Sequence, residues 1–220
     1  MKKVDSWWFP DGEKHLPEWM ANAKNRIILN GRPSYQGKKQ IACINTVKKH
    51  KGTARTAIDV GGHIGLWSFN LAAVFERVVA FEPVEAHRAC FARNVEAANV
   101  DLKACALGKE EGSVSIYTAP TSSGDSYVNG GGQIPMKTLD SFTLAHVDFI
   151  KIDCEGYEEN VLRGAEHLLR TWKPVVCVEQ KRDMASTRFG LAPLGAVKFL
   201  QGLGYRVAQE ISGDYIMTPC

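Results

Sequence analysis

Between Thr56 and Pro83 the chain reads T-A-I-D-V-G-G-H-I-G-L-W-S-F-N-L-A-A-V-F-E-R-V-V-A-F-E-P, an order of residues that few folds accept. Thr56 to Val60 is a short apolar run with β-branched members, closed by glycines, which predicts a buried strand. Gly61 and Gly62 permit a tight turn at backbone angles other residues resist. From Gly65 onward, Leu66, Phe69, Leu71, Ala72 and Phe75 give a helix one apolar face. Arg77 to Phe81 is a second buried strand, and it ends on Glu82 and Pro83. Strand, glycine turn, helix, strand and acid make the βαβ unit that holds a nucleoside-containing cofactor.

The glycine spacing separates the possible cofactors. A dinucleotide fingerprint needs glycine at 60, 62 and 65, and position 60 is valine, which excludes an NAD-dependent dehydrogenase. What fits is D-x-G-x-x-x-G, carried by Asp59, Gly61 and Gly65. That turn is typical of S-adenosylmethionine-dependent methyltransferases, whose cofactor has no pyrophosphate to seat on a helix N-terminus. The turn then passes the methionine part, and Glu82 is placed to accept both ribose hydroxyls. A glycine turn alone is weak evidence; followed by an acid at a strand end about 20 residues later, it is stronger.

At 220 residues the chain suffices for one domain with a large core or for two small ones. Its 45% hydrophobic and 23% charged content is ordinary for a soluble globular protein, so a packed core is expected. No apolar run approaches the ~18 residues of a membrane span. Met1-Lys2-Lys3 leads into Asp5 and a Trp-Trp pair rather than an apolar segment, so no signal peptide is read and a cytoplasmic protein is expected. The cysteines are scattered without a C-x-x-C pair. Cys105, Cys154 and Cys177 fall in strand-like segments where free cysteine acts as a small apolar residue. A reduced protein without structural zinc is expected.

Residues 1–55 are expected to form a basic helical arm or lid packed on the body, with 56–220 as the catalytic domain. Trp7, Trp8 and Phe9 would be poor surface residues. Asp11, Glu13 and His15 alternate, but an irregular segment with Pro10 and Gly12 is poor support for a metal site. Between Glu18 and Asp59 there is no acid, whereas Lys24, Arg26, Arg32, Lys38, Lys39, Lys48, Lys49, Lys51 and Arg55 are basic. Ile41, Ile44 and Val47 predict a helix over 35–51 with its lysines outward. Such a face is either merely solvated or an attraction for an anionic substrate, such as a nucleotide sugar or nucleic acid.

Further on, residues 84–99 read as a helix and 100–107 as a third strand, with Ala106 and Leu107 near an adenine. Residues 113–117 alternate as an edge strand, and 118–133 form the longest structureless segment, read as a mobile flap over the substrate. Asp140 is expected to cap the short helical turn that follows it. V-D-F-I-K-I-D at 147–153 is a fourth buried strand, running into Cys154 and Glu155, and 174–179 is a fifth, ending on Glu179 with Gln180 and Lys181 beyond. A helix with Val161, Leu162, Ala165, Leu168 and Leu169 on one face lies between these two strands, and a helix over 192–202 with a hairpin at 205–210 and 214–218 closes the chain. The fold class is α/β, doubly wound and Rossmann-like, with a mostly parallel seven-stranded sheet and a C-terminal antiparallel hairpin.

The chain resembles the FkbM-type methyltransferases, S-adenosylmethionine-dependent enzymes regarded mostly as O-methyltransferases. The matching blocks are residues 58–67, Phe81-Glu82-Pro83, Ala106-Leu107-Gly108, Thr138-Leu139-Asp140, 148–158, 161–165 and 174–179. The I-K-I-D-x-E-G-x-E block at 150–158 is the most specific, and together the blocks cover about residues 55 to 180. The basic N-terminal arm and the Glu179-Gln180-Lys181 ending resemble a phage and environmental subgroup. The resemblance implies S-adenosylmethionine as cofactor and methyl transfer to a hydroxyl of a small molecule or carbohydrate. It places Asp59, Gly61, Gly62, His63 and Gly65 at the methionine end and Glu82 and Pro83 at the ribose. Ala106 and Leu107 fall at the adenine, and Asp153 beside the cofactor amine.

A hydroxyl acceptor needs a positioned oxygen and a base or cation that lowers its pKa. Asp153, Glu155 and Glu179 are the candidate bases, with Lys181 to orient the oxygen. His63 reads as a turn residue rather than a base. Two rivals stand beside this reading. Asp153, Lys181 and Glu179 are similar to part of the lysine-aspartate-lysine-glutamate site of ribose 2′-O-methyltransferases, which would make nucleic acid the acceptor, although no second lysine is assigned. A catalytically inactive, cofactor-binding partner subunit is the other, and carboxylates at three strand ends argue against it. A divalent metal held by Asp153, Glu155 and Glu179 is left open.

Overall fold

The chain begins with two small hairpins. In the computed structural model, which describes residues 1–181 and 183–220, β1 (Lys2–Val4) pairs with β2 (Trp7–Phe9), α1 (His15–Ala21) follows, and β3 (Ile27–Leu29) pairs with β4 (Arg32–Ser34). Alternation in β2 turns Trp7 and Phe9 inward, each 1% exposed, against Ile64, Leu66 and Cys90. The Trp7 indole also donates to the Pro33 carbonyl at 2.8 Å, joining one hairpin to the other.

The helix α2 (Gly37–Lys51) comes next. Its buried face is Gln40, Cys43 and Val47, whereas Ile41 is exposed and Ile44 half-buried, so the apolar face expected from 41, 44 and 47 is rotated. The reason is what α2 covers: Cys43 and Val47 pack on Ala57, Phe149, Val175 and Cys177 of the main sheet. Lys51 and Arg55 do not face solvent freely. Lys51 donates to the Trp172 carbonyl at 2.9 Å, and Arg55 lies 2.7 Å from the fully buried Asp148.

The core unit then follows as β5 (Thr56–Val60), α3 (Leu66–Ala72), β6 (Arg77–Phe81), α4 (Glu85–Asn94) and β7 (Val100–Lys103). Beyond it come β8 (Ala106–Leu107), β9 (Gly112–Val114), β10 (Ile116–Tyr117), β11 (Tyr127–Val128) and β12 (Ile134–Lys137). The chain returns to the main sheet as β13 (Val147–Ile152), α5 (Glu158–Arg163), α6 (Glu166–Trp172) and β14 (Val175–Glu179). It ends through α7 (Met184–Phe189), α8 (Gly195–Gly202), β15 (Tyr205–Ile211) and β16 (Asp214–Pro219). No helix among the described residues is long and apolar enough to cross a membrane.

The seven-stranded sheet has the order β15-β16-β14-β13-β5-β6-β7. All pairings from β14 to β7 are parallel, and β16 runs antiparallel to both of its neighbours. Every residue of β5, β13 and β14 is buried, as expected for parallel strands covered on both faces. The chain steps outward from β5 to β7 and then returns on the other side of β5 as β13. That reversal opens a crevice at the carboxyl ends of β5 and β13, where ligands of open α/β sheets bind.

Four local expectations are corrected. The helix after Pro83 stops at Asn94. The strand read over 100–107 is broken, and its second half, β8, belongs to a separate sheet of order β8-β12-β9. Residues 118–133 are not structureless: Ser123–Asp125 form a 3₁₀ turn and β11 pairs with β10. Asp140 does not cap its own turn, where the Thr138 hydroxyl accepts from the Ser141 amide. Its carboxylate instead accepts from the His167 and Leu168 amides at 2.9 Å each, capping α6.

Candidate active site

The turn after β5 is held by geometry that excludes side chains. Gly61 has φ +78°, and a Cβ there would stand 2.1 Å from the Asp153 carbonyl oxygen. The amides of Gly61 and Gly62 donate to the Phe81 carbonyl at 3.1 and 2.9 Å, locking the turn to the end of β6. Glu82 completes the lock. Its carboxylate accepts from the amides of His63 and Val84 at 2.8 Å each and meets His87 Nδ1 at 3.2 Å. A carboxylate has about four acceptor sites, so Glu82 keeps capacity for another donor.

Glu82 opens onto an apolar cavity walled by Phe81, Pro83, Ala106, Leu107, Tyr127 and Tyr157. A carboxylate at the end of largely apolar walls is the chemistry a ribose and an adenine require, so these residues fit a nucleoside-containing cofactor. Gly61, His63 and Asp153 line this cavity and also a second one beside it, of about 120 Å³. The second cavity is polar. Tyr35, Lys151, Asp153, Glu155, Glu179 and Lys181 face it.

Charge is concentrated there. Lys181 lies 2.9 Å from Glu179 and 3.7 Å from Glu155. Arg188 lies 3.3 Å from the other oxygen of Glu155. Burial, reinforced by Asp153, pushes Glu155 up to about 7 against the pull of Lys181. The same causes raise Glu179, which is 2% exposed and whose Oε2 has no hydrogen-bond partner. For Lys181, burial works against the charge, but Glu179 and Glu155 outweigh it and raise its pKa. Tyr35 is pushed up to about 12, by burial first and Asp153 next. Asp153, Glu155 and Glu179 can each bring an oxygen within 4.8 Å of the others, a spacing a divalent ion could use.

The structure gathers Asp153, Glu155, Glu179 and Lys181 in one place and sets Gly61, Gly62 and His63 at its rim. Two expected cofactor residues stand elsewhere. Asp59 is fully buried and lines neither cavity, because both faces of β5 are covered; it accepts from the Ser68 hydroxyl at 2.7 Å and pairs with Lys151 at 3.2 Å. Gly65 serves packing: at φ +90°, a Cβ would meet Val95 at 2.5 Å. His63 is a turn residue with φ +48°, its Nε2 2.8 Å from the Ser123 hydroxyl, and burial drives its pKa well down. Glu158, the first residue of α5, braces the turn before that helix by accepting from the amides of Cys154 and Gly156 at 3.0 and 2.8 Å. Asp11, Glu13 and His15 do not form a metal cluster among the described residues. Glu13 instead accepts from the amide and hydroxyl of Ser123 at 2.5 Å each, pinning the 118–133 segment across both cavities.

Lys151 and Tyr35 are polar residues that sequence reasoning missed, and Lys39 was read only as one member of the basic stretch. Lys151 donates to the Gly61 carbonyl at 2.9 Å and lies 4.0 Å from Asp153. Its signal was a charge inside a buried strand, a signal that Asp148 of the same strand shares. Tyr35 comes from the segment before β5 and carries no comparable signal.

The strand order, the glycine turn and the acid ending β6 define a Rossmann-like class I methyltransferase fold. The Methyltransferase FkbM domain family matches residues 59–207, more than half of the chain, and the protein belongs to that family. A curated relative, Methyltransferase 1 of Beauveria bassiana (strain ARSEF 2860), is 27% identical over 143 residues, covering 50% of this chain and 57% of its own length. The chain thus spans little more than half of that relative. Among solved structures, the methyltransferase FkbM of Methylobacillus flagellatus KT matches with a TM-score of 0.50 at 20% identity, over 74% of this chain and 43% of that one. The N-methyltransferase NodS of Bradyrhizobium japonicum WM9, in complex with S-adenosyl-L-homocysteine, matches with a TM-score of 0.50 at 12% identity, over 93% and 94%.

Proposed function

We propose that the protein is an S-adenosylmethionine-dependent methyltransferase acting on a hydroxyl of a small molecule or carbohydrate. One observation carries the reading: Gly61, His63 and Asp153 wall both the apolar cavity and the cavity holding Glu179 and Lys181. A group seated in the first therefore faces the polar groups of the second. S-adenosylmethionine, when bound, supplies an electrophilic methyl group on a sulfonium. The chain supplies the rest. Glu82 holds the ribose, and the wall from Ala106 to Leu107 receives the adenine. Glu179 takes the hydroxyl proton on Oε2, the oxygen left without a partner. The Lys181 ammonium orients and steadies the oxygen as its proton leaves.

Calorimetric titration with S-adenosylhomocysteine, with NAD as control, tests the cofactor. Binding of the homocysteine form alone supports the reading, and binding of NAD alone sinks it. Lys181→Met is expected to cut turnover roughly 100-fold, as loss of one preorganised oxyanion contact does, with cofactor affinity nearly intact. Lost cofactor binding in that variant would remove Lys181 from the acceptor side. A second reading, a nucleic-acid ribose as acceptor, is favoured by Lys39, which provides the second lysine that the sequence left unassigned. Lys39 walls a cavity shared with Glu179 and Lys181. A salt-sensitive gel shift with RNA tests it.

A further inference from the structure

Past Glu179 and Lys181 lies a third cavity, of about 380 Å³, walled by Trp19, Lys24, Tyr35, Lys38, Lys39 and Ser212. Tyr35, Glu179 and Lys181 belong to this cavity and to the central one, so it begins where the acceptor hydroxyl is expected. Its size falls within the range of about 300–1,000 Å³ usual for small-molecule sites.

The fate of the basic N-terminal residues marks this cavity out. Arg26 pairs with Asp5 at 3.3 Å, and Arg32 donates to the Asn94 carbonyl and lies over the Phe69 ring. Lys51 and Arg55 are committed to Trp172 and Asp148, and Lys39 pairs with Asp214. Lys24 and Lys38 are exposed at the cavity and have no ion-pair partner among the described residues. The carboxylate in that wall, Glu179, is already matched by Lys181. Trp19 and Tyr35 meet edge to face at 4.9 Å, which sets an aromatic surface beside the two ammonium groups. Unpaired ammonium groups next to aromatic rings suit a phosphate attached to a ring that stacks.

We propose that this third cavity binds the anionic end of the acceptor, and that the acceptor is a phosphate-bearing small molecule of the nucleotide-sugar class. Its phosphates lie against Lys24 and Lys38 and its base against Trp19 and Tyr35, while a sugar hydroxyl reaches Glu179. The inference rests on the methyl-transfer reading and names the substrate class for it. A polynucleotide would need a basic track continuing beyond the cavity: Lys48 and Lys49 are also exposed without an ion-pair partner among the described residues but stand about three turns along α2 from Lys38, and the arginines and Lys51 are committed to protein partners.

The test is calorimetry on the full chain saturated with S-adenosylhomocysteine, using uridine diphosphate, uridine, inorganic pyrophosphate and a short RNA as probes. Uridine diphosphate should bind at least about tenfold more tightly than uridine. Lys24→Met and Lys38→Met together should erase that advantage without changing S-adenosylhomocysteine affinity. Equal binding of uridine and its diphosphate, an unaltered double variant, or silence with all probes overturns the proposal. RNA binding with silence toward the diphosphate overturns it in favour of a polynucleotide. If S-adenosylhomocysteine itself does not bind, the methyl-transfer reading fails separately, and the same diphosphate titration on the unliganded chain still decides the cavity.

Discussion

Lys151 carries a buried charge near the carboxyl end of β13, and Asp59, Asp153 and the Gly61 carbonyl offset the cost of burying it. Sequence reading reached Asp153, Glu179 and Lys181 because each follows an apolar strand, where a polar residue marks the strand end. It passed over Lys151 because a lysine inside a strand carries no positional meaning until its partner is known. Glu82 was legible for the same reason as Asp153, and its role is testable: Glu82→Ala should weaken S-adenosylhomocysteine binding by about 2–3 kcal/mol. Calorimetry giving an unchanged affinity would refute that role. Glu155 offers a stability test. Its folded pKa is raised from 4.5 to about 7, so the stability it contributes is fully present below 4.5 and is lost as pH rises through about 7. Glu155→Gln should therefore stabilise the fold above pH 7, by up to about 3 kcal/mol, and change little near pH 4. Urea denaturation at the two pH values measures the difference.

At the scale of elements, the segment 118–133 shows why composition misleads. Its serines and glycines read as structureless, yet Glu13, from the far end of the chain, accepts from both the amide and the hydroxyl of Ser123. Arg188 stacks 4.1 Å from the Tyr127 ring and adds a second tether. Glu13→Ala should speed amide hydrogen exchange across 118–133 while leaving β5 and β13 unchanged, as mass spectrometry would record. Exchange unaltered by the substitution would mean that the pairing of β10 with β11 suffices to hold the segment. The broken strand at 100–107 has a similar lesson: β8 is claimed by β12, which lies beyond any local pattern.

In the whole molecule, strand ends contributed by β6, β13 and β14 converge on one crevice, and an N-terminal segment closes its far side. Three carboxylates within reach of one another would suit a hard divalent ion, but Lys181 already supplies a cation at 2.9 Å from Glu179. Turnover should therefore survive EDTA and gain nothing from added magnesium; loss of activity on chelation would show that a metal displaces Lys181. The βαβ unit, the glycine turn and the acids ending the strands were determined by the sequence alone, because glycine spacing, β-branched runs and helical periodicity act over a few neighbouring residues. The tertiary structure decided that Asp59 faces Lys151 rather than a ligand and that β16, not β15, adjoins β14. It also brought Tyr35, Lys24 and Lys38 to the cavity beside Lys181. Those outcomes depend on side chains far apart in the chain, which meet once the order of strands in the sheet has been set.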